Sequence, residues 1–197
     1  MSTPPLLYLA SGSPRRRELL EQLGLTLQRV AAEIDETPLP GETARDYALR
    51  LAVEKAAAGE AARVAAGLPA TPLLAADTTV TQDGEIFGKP ADAPDARRML
   101  AAFSGRSHRV LTAVAVRDGD ALHTAVSDTE VWFKPLSAAE IERYIESGEP
   151  FDKAGAYGIQ GRAAVFVERI AGSYTGVVGL PVFETAALLS ACGFVFP

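Results

Sequence analysis

The chain has 197 residues, 48% of them apolar, a formal net charge of −6 and a single cysteine. That length and apolar content support one buried core, so a single domain spanning residues 1–197 is expected. The acidic balance argues against a general nucleic-acid binder, because such proteins draw most of their affinity from a basic face, and lone Cys192 excludes an internal disulfide or a cysteine-built metal cluster. No apolar run approaches the roughly 20 residues of a membrane helix. The N-terminus enters its first strand without a basic flank or a small-residue cleavage pattern, so a cytoplasmic protein is expected.

Leu6-Leu7-Tyr8-Leu9 reads as a short buried strand. After it, Ser13 is placed to cap a helix that opens on Pro14, repeats Leu19, Leu20 and Leu23 at helical spacing, and stops at Gly24. Arg15, Arg16 and Arg17 all fall in the first turn of that helix. Cations at a helix N-terminus are unfavourable by about 0.3–1 kcal/mol each, so something negative is expected to offset them. Free N–H groups, the Ser11 and Ser13 hydroxyls and an arginine fork suit a phosphate. Consecutive helix positions point about 100° apart, so Arg17 is assigned to solvent.

A second strand is predicted over Thr26–Ala32, running into the acidic segment Glu33-Ile34-Asp35-Glu36-Thr37-Pro38. Thr43 caps an alanine-rich helix over Ala44–Ala66, whose Tyr47, Leu51 and Lys55 share one face. Leu73–Val80 reads as an apolar strand broken by Asp77-Thr78-Thr79. Turns follow at Asp83-Gly84 and Gly88-Lys89-Pro90, then a helix over Ala93–Phe103. Val110–Val116 and Ala121–Phe133 form a hairpin through Asp118-Gly119-Asp120.

Ser137 with Glu140 signals a capping box for a helix over Ser137–Ser147. Asp152–Gly161, with Gly155, Gly158 and Gly161, reads as a binding loop or a flexible connector. A strand over Ala164–Ile170, a glycine-rich stretch over Gly172–Pro181 and a helix over Val182–Ala191 complete the chain. Interleaved strands and helices with one antiparallel excursion predict an α/β fold with a mixed sheet. In such sheets ligands sit beyond the strands' carboxyl ends, which joins the Ser11–Arg16 turn and Asp77-Thr78 in one central cleft. His108 and His123 flank opposite sides of the hairpin and are read as structural, with His108 a candidate for ordering a cleft loop. Cys192 sits among apolar neighbours and reads as a packed thiol.

Five blocks, Ser11-Gly12-Ser13-Pro14-Arg15-Arg16 with Glu18-Leu19-Leu20, Ala76-Asp77-Thr78, Gly88-Lys89-Pro90, Asp152–Gly161, and Gly172-Ser173-Tyr174 through Gly179-Leu180-Pro181, occur in this order along the chain. In them the sequence resembles the Maf family of nucleotide pyrophosphatases. The resemblance implies an inosine triphosphate pyrophosphatase-like α/β fold with a central cleft and a homodimer. It implies hydrolysis of a nucleoside triphosphate to the monophosphate and pyrophosphate with a divalent metal, Mg²⁺ or Mn²⁺.

By the same resemblance Asp77 is the proton acceptor and shares the metal with Glu36, with Asp35 or Glu33 as alternatives to Glu36. Lys55, Lys89, Arg15 and Arg16 meet the phosphates, alongside Ser11 and Ser13. The pattern Ala-Gly-Ala-Tyr-Gly-Ile-Gln-Gly at Ala154–Gly161 matches the pyrimidine-directed subgroup, which acts on dTTP and UTP. That match implies Arg15, Thr78 and Gln160 as specificity residues. A primary amide both donates and accepts, matching the carbonyl and N–H edge of uracil or thymine. The alternative from another class is a nucleotide-binding regulator of cell division with slow hydrolysis. Asp77 argues against it, because a carboxylate aimed at a phosphate repels a ligand that is only to be held.

Overall fold

The computed structural model describes residues 6–196. Its centre is one seven-stranded sheet in the order β2-β1-β3-β5-β6-β7, with β4 paired to β3 outside that path. β1 (Leu6–Leu9) lies parallel to β2 (Thr26–Arg29) and to β3 (Leu73–Gln82), with helices α1 (Pro14–Gln22) and α2 (Ala44–Ala65) as the crossovers. From β3 onward every pairing is antiparallel: β4 (Glu85–Phe87), β5 (Ser107–Asp118), β6 (Ala121–Phe133) and β7 (Val167–Ala171). This is the mixed α/β sheet that the sequence predicts.

Strand alternation divides the core in two. Leu7, Leu9, Leu74 and Ala76 face the side covered by α1, α3 (Ala93–Phe103), α4 (Ala138–Glu146) and α6 (Val182–Ala191). Tyr8, Ala10, Leu73 and Ala75 face α2, which meets them with Ala48, Ala52 and Ala56. Small residues let α2 lie close to the sheet. At Gly59 an added Cβ would stand 2.7 Å from the Ala10 Cβ, so only glycine fits there. Parity then fixes the directions of the next two residues on β3. Asp77 continues the Leu73–Ala75 row toward α2, and Thr78 continues the Leu74–Ala76 row toward α1.

Helix starts follow the sequence closely. Ser13, Thr43, Asp92 and Ser137 each cap through their side chains, and Ser137 with Glu140 completes a capping box. Four readings need correction. β3 is not broken at Asp77-Thr78-Thr79: these residues pair with Ala113, Thr112 and Leu111 of β5. The strand tolerates them because each polar side chain has a bonded partner. β2 covers only Thr26–Arg29, the length that β1 offers for pairing.

The expected strand over Ala164–Ile170 is a 3-10 turn over Arg162–Phe166 followed by β7. Phe166 turns inward there to pack on Tyr144 and Phe133, and pairing with β6 begins only at Val167. Finally, the Gly172–Pro181 stretch contains a short helix, α5 (Tyr174–Val178), capped by Ser173. Among the described residues no helix is long and apolar enough to cross a membrane.

Candidate active site

Pairing along β3 leaves a gap. β1 pairs with β3 as far as Leu74, and β4 pairs with it only from Val80. Between those points this edge of β3 has no strand partner, and a cavity of about 870 Å³ opens there. Asp77, Thr78 and Thr79 line it from β3, with the Ser11–Arg16 turn, the Glu36 segment, α2, the Gly88-Lys89 turn and the 149–161 loop around it. The volume falls in the range of small-molecule sites.

In the opening turn Ser11 Oγ accepts from the Ser13 backbone N–H at 3.2 Å and from Arg16 Nη1 at 3.2 Å. Arg16 also donates from Nε to the Gly179 carbonyl at 2.8 Å and from Nη2 to Thr78 Oγ1 at 3.2 Å. Its guanidinium therefore ties α1, β3 and the segment after α5 together. Burial lowers the Arg16 pKa from its ordinary value, with Asp77 and Glu36 acting in the opposite sense. Arg15 reaches Asp152 Oδ2 at 3.4 Å on the far wall, whereas Arg17 turns to Glu21 on the outer face of α1. The three consecutive arginines thus take three separate jobs, as helical geometry requires.

On the α2 side Lys55 Nζ stands 2.7 Å from Asp77 Oδ1 and 2.6 Å from Glu36 Oε1. Thr79 Oγ1 donates to the other Asp77 oxygen at 3.3 Å. The Glu36 backbone is anchored by the Tyr47 hydroxyl, which donates to its carbonyl at 2.7 Å. Of the three acidic candidates, Glu36 alone lines the cleft. Asp35 is occupied by its own turn, accepting from the Thr37 N–H at 2.9 Å, and hydrogen bonding from Thr37, its side chain foremost and its backbone next, lowers the Asp35 pKa. Two carboxylates meeting at one ammonium are a pair of hard oxygen donors, the kind that Mg²⁺ or Mn²⁺ takes. Among the described residues no group of three or more His, Cys, Asp or Glu side chains is placed to hold a metal, so protein ligands alone do not form a cage.

Lys89 and Gln160 are exposed at the mouth of the same cleft, and Ser11, Ser13, Arg15, Arg16, Lys55, Thr78, Asp77 and Glu36 line it with them. Of the residues assigned to the site in the sequence, only Glu33 and Asp35, the alternatives to Glu36, fall outside this lining. The Gln160 loop is held by groups the sequence did not single out. The Glu149 carboxylate accepts from Tyr144 OH at 2.9 Å and from the Arg162 N–H at 3.0 Å. The Gly155 N–H donates to Gly88 O at 3.0 Å, joining this loop to the Lys89 turn. Tyr157 OH lies 2.8 Å from His108 Nε2, with His108 buried against Phe103. Of these supports the sequence marks His108 and the Asp152–Gly161 block; nothing local marks Glu149.

Fold and site together define a mixed α/β protein with a cation- and carboxylate-lined cleft at a strand edge. The chain belongs to the Maf family: the model described as Maf-like protein matches residues 6–192. It is 70% identical over 191 residues to a dTTP/UTP pyrophosphatase of Chromobacterium violaceum, covering 97% of this chain and 96% of that one. A Burkholderia pseudomallei dTTP/UTP pyrophosphatase is 57% identical over 200 residues, 98% of this chain and 96% of the relative. One from Cupriavidus metallidurans is 55% identical over 197 residues, 97% and 98% of the two chains.

Proposed function

We propose that the protein hydrolyses dTTP and UTP to the nucleoside monophosphate and pyrophosphate. The observation that carries this reading is Asp77: a carboxylate on the unpaired edge of β3, opening into the cleft between Lys55 and Thr79. Its position suits a base acting on a water, and the names of the close relatives supply the substrates. In the reaction a water oxygen bonds to the α-phosphorus, the bond from that phosphorus to the α–β bridging oxygen breaks, and pyrophosphate leaves. Asp77 accepts the proton that the water loses. Lys55, Lys89 and Arg15 neutralise phosphate oxygens around the cleft, and Arg16 has two N–H groups left for the same purpose after its three protein contacts.

Glu36 and Asp77 are the residues that would hold a divalent metal. Such an ion, when bound, supplies charge neutralisation on the phosphates and acidifies a bound water. Gln160, on the loop that Arg15 reaches at Asp152, and Thr78 are assigned to the base. The cytoplasm, which holds the nucleoside triphosphate pool, is the compartment that goes with this reading.

The test is a product assay. Pure protein with Mg²⁺ or Mn²⁺ is given dTTP, UTP, 5-substituted pyrimidine triphosphates and dGTP, and the products are separated. Pyrophosphate and monophosphate from dTTP and UTP are expected, and Asp77→Asn is expected to lower kcat by about 10²–10⁴-fold. No pyrophosphate from either pyrimidine nucleotide, or full turnover by Asp77→Asn, overturns the reading. Light scattering on the same sample checks for the expected homodimer.

A further inference from the structure

Thr112 lies on β5 directly opposite Thr78 and is fully buried. Its hydroxyl has one proton and two oxygen neighbours: Gly176 O at 2.7 Å and Thr78 Oγ1 at 3.0 Å. A carbonyl oxygen only accepts, so the Thr112 proton goes to Gly176. The contact between the two threonines then requires Thr78 to donate. Thr78 Oγ1 in turn accepts from Arg16 Nη2 at 3.2 Å. Its proton is spent and one of its lone pairs is used. Thr78 lines the cleft, and one lone pair is all that its hydroxyl has left to offer there.

We infer that Thr112 is a positioning residue for substrate choice: it fixes the Thr78 hydroxyl as an acceptor, so the cleft takes a base that donates there. The imide N3–H of uracil or thymine meets that requirement. Cytosine places a lone pair at N3 and is disfavoured. Phosphate oxygens are acceptors as well, so the triphosphate gains nothing from Thr78 itself, and the nucleoside end is the part that suits it. This inference rests on the reading above, that a pyrimidine nucleotide occupies the cleft. It adds the residue that sets the direction of the discriminating hydrogen bond.

Equilibrium binding of the products UMP and CMP, followed by calorimetry, tests this without requiring turnover. The wild type is expected to prefer UMP. In Thr112→Val the Thr78 proton is released and can turn to the cleft, so CMP should bind more tightly than it does to the wild type. The UMP-over-CMP preference should then shrink about tenfold, the scale of one hydrogen bond of fixed direction. Thr112→Ser keeps a hydroxyl that donates to Gly176 O and accepts from Thr78, and should keep the preference. Thr78→Val should lose it, and adding Thr112→Val to that variant should change nothing further.

Equal weakening of both nucleotides in Thr112→Val, or an unchanged ratio in a variant with a native melt, overturns the inference. A wild type with no preference for UMP overturns it as well. So does a sensitivity to Thr112→Val that disappears with 3′-deoxy-UMP, since the donor is then on the ribose. Should Thr112→Val not fold, Thr112→Cys, with a weak donor and acceptor thiol, gives the same readout. Failure of the wild type to hydrolyse dTTP or UTP overturns the proposed function and leaves this binding ratio to be read on its own.

Discussion

Lys55 Nζ bridges Glu36 and Asp77, at 2.6 Å from one carboxylate and 2.7 Å from the other. The lysine is carried inward by α2, at the helical spacing from Tyr47 and Leu51 that makes all three line the cleft. One ammonium thereby holds together two like charges on segments 41 positions apart in sequence. In the proposed reaction it also faces the triphosphate, so its removal acts in two opposite directions. Lys55→Met is expected to lower kcat/KM for dTTP by about 10²–10³-fold, the cost of one preorganised group at the reacting phosphate. The same variant should bind Mn²⁺ more tightly in the absence of nucleotide, because a competing cation has been taken from the carboxylates. Paramagnetic titration of free Mn²⁺ checks the second outcome, and weaker binding would count against the bridge.

Arg16 makes a different demand. Its fork reaches Gly179 O, Ser11 Oγ and Thr78 Oγ1 at once, from three segments far apart in the chain. A lysine keeps the charge but presents its donors from a single point and cannot span them. Arg16→Lys is expected to cost about 1–3 kcal/mol of stability, since the buried Gly179 carbonyl and the half-buried Ser11 and Thr78 hydroxyls lose their partner. Urea unfolding measures this. A variant as stable as the wild type would mean that the arginine is held for the ligand alone.

The comparison of sequence with structure turns on which partners are local. The Ser13 cap, the Ser137–Glu140 box and the extents of α3 and α6 were legible because cap residues and helical spacing lie within a few positions of each other. The candidate site was legible as a set of motifs, and parity along β3 already separates Asp77 from Thr78. The continuity of β3 was hidden, since it depends on Lys55, Arg16 and Thr112 arriving from other elements to satisfy polar residues in a buried strand. Glu149 was hidden for the same reason. Its value lies in Tyr144 and the Arg162 backbone, which no spacing rule connects to it.

Gly161 offers a test of that support. Its backbone is ordinary, with φ at −102°, yet an added Cβ would fall 2.1 Å from Glu149 Oε1. The carboxylate cannot swing away cheaply, because Tyr144 OH and the Arg162 N–H both hold it. Gly161→Ala is therefore expected to lose about 1–3 kcal/mol of stability and, next to Gln160, to weaken discrimination among nucleotides. Gly24→Ala is the contrast. There φ is +78° and the space is open, so a left-handed backbone cost of about 1–2 kcal/mol is expected with unchanged selectivity. Thermal melts and a nucleotide panel on both variants separate a steric effect at the loop from simple backbone strain.

His108 connects the same loop to pH. It is 2% exposed, stacked on Phe103, and bonded through Nε2 to Tyr157 OH, and burial pushes its pKa down to about 3. An unfolded histidine titrates near 6.5. Between those values the unfolded chain binds a proton that the folded chain refuses, so stability is complete above pH 6.5 and falls as the solution is acidified toward pH 3. The slope approaches about 1.4 kcal/mol per pH unit for one such group. Glu42 and Glu140, both held at about 2, add their own losses only below the carboxylate range near 4.5. The interval from pH 6.5 to 4.5 therefore reads His108. His108→Gln retains a polar partner for Tyr157 and has nothing to protonate, so its unfolding free energy in urea should be flat across that interval where the wild type declines. An equal decline in both proteins would remove His108 as the cause and leave the hydrogen bond to Tyr157 as a purely structural tie.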